Sequence, residues 1–197
     1  EMKHLNPIEN ILERELSCIV IISALEVELT HLLEVSELKK KYQYLGFEIF
    51  ECKLGNKRII LGLSGIGKLN GAIITQYIIE AYKPDHVYNL GIAGGISPTV
   101  NIADVVIGER IYQSDFDLTI FGYKRGEVPN RKFHLETFLH QNRKFPKLEN
   151  SDFTIHYGNI ISADQFINDH DSILALGEEY SALAKDMESM AIAYVCD

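Results

Sequence analysis

The sequence predicts a three-layer α/β/α fold built on a mixed sheet, and three observations carry that prediction. Short runs rich in Ile and Val, bounded by polar residues, recur along the chain. Segments with helical apolar spacing separate them. One stretch alternates apolar and polar residues up to a Gly-Asn pair and then resumes, as the strands of a hairpin do. A chain of 197 residues is long enough to bury such a core without crosslinks.

The first run, Cys18 to Ala24 (CIVIISA), has the continuous apolarity of a strand covered on both faces. Glu26 to Val35 (EVELTHLLEV) follows with helical spacing and strong helix formers, so a strand turns directly into a helix here. In open α/β sheets such corners gather ligand groups, and Glu26 and Glu28 sit at this one. Phe47 to Lys53 (FEIFECK) and Arg58 to Leu63 (RIILGL), joined through Gly55-Asn56, read as an antiparallel hairpin, which makes the sheet mixed. Leu69 to Tyr82 reads as a helix that Lys83-Pro84 ends. Val87 to Leu90 is the next strand, broken by Gly91 to Gly95, and Val105 to Ile107 is another. Asp115 to Asn130 is a long aromatic loop with Gly and Pro, of a length that usually serves function or an interface. Lys132 to Asn142 is expected to be helical, Asp152 to Ser162 a strand, and Ile173 to Cys196 one or two helices interrupted at Gly177. With no repeat, low-complexity tract or linker, residues 17–197 are expected to form one domain behind an extension of residues 1–16.

Composition removes several function classes. Hydrophobic residues at 46% and charged ones at 24% fit a soluble globular domain rather than a disordered chain. A net charge of -9 argues against binding nucleic-acid backbones, which takes clustered Lys and Arg, and points to a small-molecule substrate. Cys18, Cys52 and Cys196 form no C-x-x-C pair, and the seven histidines form no H-x-x-x-H pair. Neither a disulfide framework nor a metal site is expected, and a reducing cytoplasm is. Glu1 to Glu15 lacks the basic start and apolar run of a signal peptide, and no membrane association is expected.

Five short constellations bear on chemistry. Ser64 to Lys68 (SGIGK) joins a strand to a helix, where small residues let N–H groups approach an anion or a polar ligand edge; tight packing explains it equally well. It lacks the spacing of a Walker loop. Gly91 to Gly95 (GIAGG) is open to the same two readings. Glu26 and Glu28 suit the positive end of a helix dipole, while Glu28 also suits water activation in glycosidic cleavage if a partner group exists. In Asp186 to Ala191 (DMESMA) an acid between two methionines is expensive unless paired or used. A carboxylate there can take both hydroxyls of a ribose diol, or simply begin a helix. Phe166 in Ile161 to Asn168 (ISADQFIN) can stack on a purine or join the core, and Cys196 reads as packing.

In this order SALEVE (Ser23 to Glu28), SGIGK, GIAGG, ISADQFIN and DMESMA resemble the 5′-methylthioadenosine/S-adenosylhomocysteine nucleosidases of the nucleoside phosphorylase superfamily. The resemblance runs from about Cys18 to the last residue, is strongest over Ser64 to Pro129 with its Phe121-Gly122-Tyr123, and weakest over Asn130 to Phe153. It implies a phosphorylase/hydrolase-like fold, a homodimer, no metal, no organic cofactor, and hydrolysis of the N-glycosidic bond to give adenine and a thioribose. Glu28 matches the glutamate that activates the attacking water, and Met187 and Glu188 the pair under the ribose, with Glu188 taking the 2′,3′-hydroxyls. Phe166 matches the aromatic packed on adenine, with the Ile167 backbone at the purine edge; Ile66 and Tyr123 match the wall of the alkylthio pocket. Gly94 is counted among the substrate-binding residues, and Pro129 matches a loop residue that enters the partner subunit's pocket. The implied mechanism is dissociative: ribose gains oxocarbenium character, the Glu28-bound water attacks the anomeric carbon, and adenine leaves protonated at N7.

The chain departs from that pattern at three places. Ile92 stands where the family has a serine, and Ala103 where it has a glycine. The family's general acid is an aspartate on a strand beyond the equivalent of Cys196, followed by a helix, so that strand and helix are expected to be missing here. Losing a general acid typically costs 10²- to 10⁴-fold. Two alternatives remain at this level. One is a phosphate-dependent purine nucleoside phosphorylase, disfavoured because SALEVE has carboxylates where phosphate would want arginines. The other is a non-catalytic nucleoside-binding homologue.

Overall fold

The computed structural model describes residues 17–138 and 152–197, and the expected extension of residues 1–16 lies outside them. The described chain forms two compact units, one holding the residues up to Gly65 with Ile73–Gly91, the other Ile66–Ala72 with Ile92–Asp197.

In the first unit the apolar run becomes β1 (Cys18–Ser23), and α1 (Glu26–Val35) follows as expected. Then come β2 (Glu37–Tyr44), β3 (Phe47–Leu54), β4 (Lys57–Leu63), the helix α2 (Lys68–Tyr82), which belongs to this unit from Ile73 onward, and β5 (His86–Asn89). The strand order is β2-β3-β4-β1-β5. β1 pairs in parallel with both β4 and β5, whereas β2, β3 and β4 form an antiparallel meander. Val20 and Ile22 are fully buried, which is why this strand reads as a continuous apolar run. Leu29 of α1 packs with Phe50, Cys52, Ile59 and Leu61. A Cβ on Gly62 would stand 2.7 Å from Ile78 Cδ1, so glycine lets α2 close onto β4. Three strand ends are stitched together: the Ser23 hydroxyl donates to the Leu90 carbonyl (2.6 Å), and the Ser64 N–H to the Ser23 carbonyl (2.8 Å).

The sequence reading missed β2. Its residues ELKKKYQY are almost all exposed, so an edge strand with water on both faces leaves no apolar alternation to read.

The second unit contains β6 (Gly94–Gly95), β7 (Val105–Gln113), β8 (Leu135–Glu136), β9 (Ile155–Ser162), α3 (His170–Tyr180), β10 (Ala182–Asp186) and α4 (Ser189–Cys196). Its sheet runs β6-β10-β9-β7-β8, with β9 parallel to β7 and β10 and the two-residue edge strands antiparallel. Ile96, Ile161, Leu176, Tyr180 and Ala182 form one core cluster, and Ile111, Leu135 and Met190 another. Both sheets are mixed and flanked by helices, as the fold class requires.

Several expected boundaries move. Where a helix was expected over Lys132 to Asn142, strand β8 forms instead and pairs with β7, and residues 139–142 lie outside the described ones. α3 runs through Gly177 rather than breaking there. A Cβ on Gly177 would stand 2.5 Å from the Ile96 carbonyl oxygen, so this glycine serves close packing. The helix ends instead at Ser181, whose φ of 47° is left-handed, and the next five residues form β10 where helix was expected. Asp186 therefore ends a strand, and Glu188 is the N-cap of α4.

The loop 115–130 is pinned from within its own unit. The Gly126 N–H donates to the Phe116 carbonyl (2.7 Å), the Arg125 Nε to the Ser114 carbonyl (3.0 Å), and the Tyr180 hydroxyl to the Arg125 carbonyl (2.9 Å). Asp104 latches the turn before β7 to the start of β9. Its carboxylate accepts the Asn101 N–H (2.9 Å) and the Thr154 N–H (2.8 Å), and pairs with His156 Nε2 (3.0 Å). Those bonds hold its carboxyl far below the usual carboxylate range.

Candidate active site

In the first unit Glu28 occupies the third position of α1, where a glutamate can reach back to the free N–H groups of the helix start. Its Oε2 accepts the Leu25 N–H at 2.8 Å, which fixes the carboxylate at the mouth of the β1–α1 corner. Gly91, just past β5, leaves the room it occupies: a Cβ there would stand 2.9 Å from Glu28 Oε1 and 3.2 Å from Cδ. The strand end, the helix start and the glycine thus hold one carboxylate in a set place. Glu26, its neighbour, is exposed in the first turn of α1 and fits the helix-dipole reading.

In the second unit the loop that opens α2 meets the start of α4. The Gly67 N–H donates to Glu188 Oε1 at 2.7 Å, and Glu188 is only 9% exposed. Gly67 has φ +104°, a conformation that side chains rarely adopt. The next amide, Lys68 N–H, donates to Asp164 Oδ1 at 2.7 Å. The Lys68 ammonium pairs with Asp115 Oδ1, and the Asp164 N–H donates to Asp115 Oδ2 at 2.8 Å. Both loop amides are therefore engaged by the protein's own carboxylates, so SGIGK serves neither as an anion cradle nor for packing alone. Asp186 accepts the Ser189 hydroxyl (2.8 Å) and N–H (3.1 Å), which secures the first turn of α4, although burial pushes its carboxyl above the usual range. Lys185 donates its ammonium to the Gln165 carbonyl, and burial lowers its pKa.

An open cleft of about 340 Å³ lies against this network, lined by Ile66, Gly67, Leu69, Asn70, Asp164 and Met187. Ile66, Met187 and Glu188 are thus brought to one place. Among the described residues of this network the acids Asp115, Asp164, Asp186 and Glu188 outnumber the lysines Lys68 and Lys185, so the local charge favours a cationic group. Gly94 lies opposite Lys185 in the β6–β10 ladder. Phe166, between β9 and α3, is 88% exposed rather than part of the core, and Ile167 packs against the Ile96–Tyr180 cluster. Tyr123 follows Gly122, which ends the 3₁₀ turn Thr119–Phe121 in a left-handed conformation; Pro129 is half-buried in the same loop. Ile92 is 74% exposed.

Sequence reasoning overlooked Lys68, Asp115 and Asp164 as members of this network. Asp164 could have been found, since it stands two residues after the strand run that ends at Ser162. Asp115 had no local signal, because its partners are 47 and 49 residues away. Among the described residues no cluster of His, Cys, Asp and Glu could hold a metal ion.

The family model of the phosphorylase superfamily matches residues 18–197. A 5′-methylthioadenosine/S-adenosylhomocysteine nucleosidase of Geobacillus sp. is 36% identical over 185 residues, which are 90% of this chain and 78% of that protein. The crystal structure of the Neisseria meningitidis nucleosidase with methylthio-immucillin-A superposes with a TM-score of 0.84 at 33% identity, over 92% of this chain and 80% of that one. The Colwellia psychrerythraea nucleosidase with adenine gives a TM-score of 0.84 at 26% identity, over 91% and 76%. The chain therefore belongs to the phosphorylase superfamily, within its 5′-methylthioadenosine/S-adenosylhomocysteine nucleosidases.

Proposed function

We propose that this chain hydrolyses the N-glycosidic bond of 5′-methylthioadenosine or S-adenosylhomocysteine, releasing adenine and a thioribose. The observation that carries the reading is Glu188, a buried carboxylate held by the Gly67 N–H beside a cleft lined by Met187 and Ile66. A carboxylate has several lone-pair directions, which suits it to accept both hydroxyls of a vicinal diol. In this reading Glu188 takes the ribose 2′,3′-hydroxyls and Met187 packs beneath the sugar. Glu28, fixed by the Leu25 N–H, activates the water. The excess of carboxylates around the cleft favours the positive charge that ribose gains as the bond stretches. Phe166, with its ring largely open to solvent, covers adenine, and the Ile167 backbone meets the purine edge. Gly94 lines the substrate, and Ile66 and Tyr123 wall the alkylthio group.

The same reading makes the protein a homodimer in which Pro129 enters the partner's pocket, supported by the exposed Ile120 and Phe121 of the same loop. Three unbridged cysteines support a reducing cytoplasm, and a thioribose product suits methionine salvage. The test is adenine release from methylthioadenosine with and without phosphate. Release without phosphate supports the proposal; release only with phosphate makes the protein a phosphorylase, and adenine binding without release makes it a binding protein. Glu188→Gln should raise KM for ribosides while leaving the affinity for free adenine within about twofold, since only the diol contact weakens. Equal loss for both ligands would remove Glu188 from the ribose site.

A further inference from the structure

We propose that Asp115 is a positioning residue for Glu188, acting through Lys68 and the peptide that joins Gly67 to Lys68. The inference rests on the role of Glu188 given above. Asp115 lies in the loop that precedes the 3₁₀ turn and does not line the cleft, so any effect it has on substrate passes through its partners. Its two oxygens are divided: Oδ1 takes the Lys68 ammonium and Oδ2 the Asp164 N–H at 2.8 Å. Asp164 returns the connection, accepting the Lys68 N–H at 2.7 Å. The ring therefore closes on Lys68 from both its side chain and its main chain.

Peptide planarity converts that ring into a direction. The Gly67 carbonyl and the Lys68 N–H belong to one rigid plane. The carbonyl accepts the Gly71 N–H at 3.1 Å as the first bond of α2, and the N–H is held by Asp164. With both edges of the plane tied, the preceding amide can turn only about Gly67, whose φ of +104° aims its N–H at Glu188 Oε1, 2.7 Å away. Glycine permits that angle but does not enforce it. The Asp115–Lys68–Asp164 ring supplies the enforcement. Because the Lys68 and Asp115 side chains are only 19% and 11% exposed, removing one charge leaves the other poorly solvated and free to pull the loop out of place.

The experiment reads the Gly67 amide directly. In Asp115→Asn, with the whole 197-residue chain and no ligand, hydrogen exchange at Gly67 should accelerate about tenfold or more relative to wild type, while amides of the β7–β9 ladder keep their rates. Lys68→Arg, which retains the ion pair, should exchange at Gly67 within about twofold of wild type. In kinetics, Asp115→Asn should raise KM for methylthioadenosine about tenfold and leave the inhibition constant of adenine unchanged, a split that general loosening would not produce. Unchanged Gly67 exchange in Asp115→Asn overturns the proposal whatever the kinetics show. Should that variant lose ladder protection as well, Asp115→Glu keeps the charge at a shifted position, and an unmoved Gly67 amide proton resonance in it is equally fatal. If Gly67 responds but wild type releases no adenine, the positioning role stands and the substrate assignment falls.

Discussion

Gly91→Ala isolates the placement of Glu28 from its chemistry. The added methyl would stand 2.9 Å from Glu28 Oε1, 3.2 Å from Cδ and 3.3 Å from Oε2. Ordinary contact requires the carboxylate to retreat by about 0.5 Å. The three nearest atoms all belong to the Glu28 carboxylate, and Gly91 is exposed with a φ outside the left-handed region, so alanine meets no left-handed backbone strain. The clashing atoms are the far end of a flexible side chain, so the stability cost should stay within about 0.5 kcal/mol. Catalysis is less forgiving, because a misplacement of about 1 Å can cost 10²-fold. We therefore expect kcat for adenine release to fall roughly tenfold, with Tm lowered by no more than about 2 °C. The control is the same substitution in Glu28→Gln, which by itself should remove most turnover and spare adenine binding. Once Glu28 no longer works, Gly91→Ala should cost nothing further. A wild-type kcat in Gly91→Ala, or a full tenfold loss persisting in the double variant, would refute the claim that Gly91 acts by making room for Glu28.

Three further predictions concern the scaffold. Gly126→Ala places a methyl 2.0 Å from the Gln113 carbonyl oxygen at φ +83°, so about 3 kcal/mol of stability should be lost in chemical denaturation, with β7 and the loop it leads into disturbed first. Ala103→Gly relieves a left-handed residue at φ 72°. The gain of about 1 kcal/mol in strain, less the entropy that glycine adds to the unfolded chain, should raise Tm by about 1 °C. Asp104 carries a depressed pKa, so it stabilises the fold above the unfolded carboxylate value of about 4 and loses that contribution as pH falls through its folded value. Urea titrations from pH 5 down to pH 2 should show a steeper loss in wild type than in Asp104→Asn; parallel curves would count against the latch.

What the sequence reveals follows how each segment is covered. β1 and α1 were legible because one is buried on both faces and the other follows the strand end directly. β2 was not, because its exposed face and exposed edge leave charge where a pattern would be. β10 was hidden for the opposite reason: ALAKD lies in an apolar stretch between two helices, and only the left-handed Ser181 marks the change. Among the site residues, Glu28 could be singled out because it stands at a strand-to-helix corner, and Glu188 because an acid between two methionines is costly unless paired or used. Asp115 could not, since its role depends on Lys68 and Asp164, which only the folded chain brings to it.

The SGIGK loop also bears on why hydrolysis fits this chain better than phosphate transfer. A glycine turn at a helix start is a ready anion site, because its free N–H groups point outward at the positive end of the dipole. Here two successive amides, those of Gly67 and Lys68, already hold carboxylates of the protein, and the lysine that follows the glycines is paired with a third. A phosphate arriving at this turn would have to displace Glu188 or Asp164 and would face Asp115 as well. At about 4 Å each like charge costs roughly 4 kcal/mol at an effective dielectric constant near 20. A neutral diol meets the opposite situation, since its hydroxyls donate to the same carboxylates that repel an anion. The features that would make the loop a phosphate cradle in another chain thus make it, in this one, a support for a hydrogen-bond acceptor. Replacing Glu188 with glutamine should therefore weaken riboside binding while Asp164 and Asp115 still hold the turn against phosphate, and phosphate-dependent turnover in that variant would show that those two carboxylates do not exclude the anion.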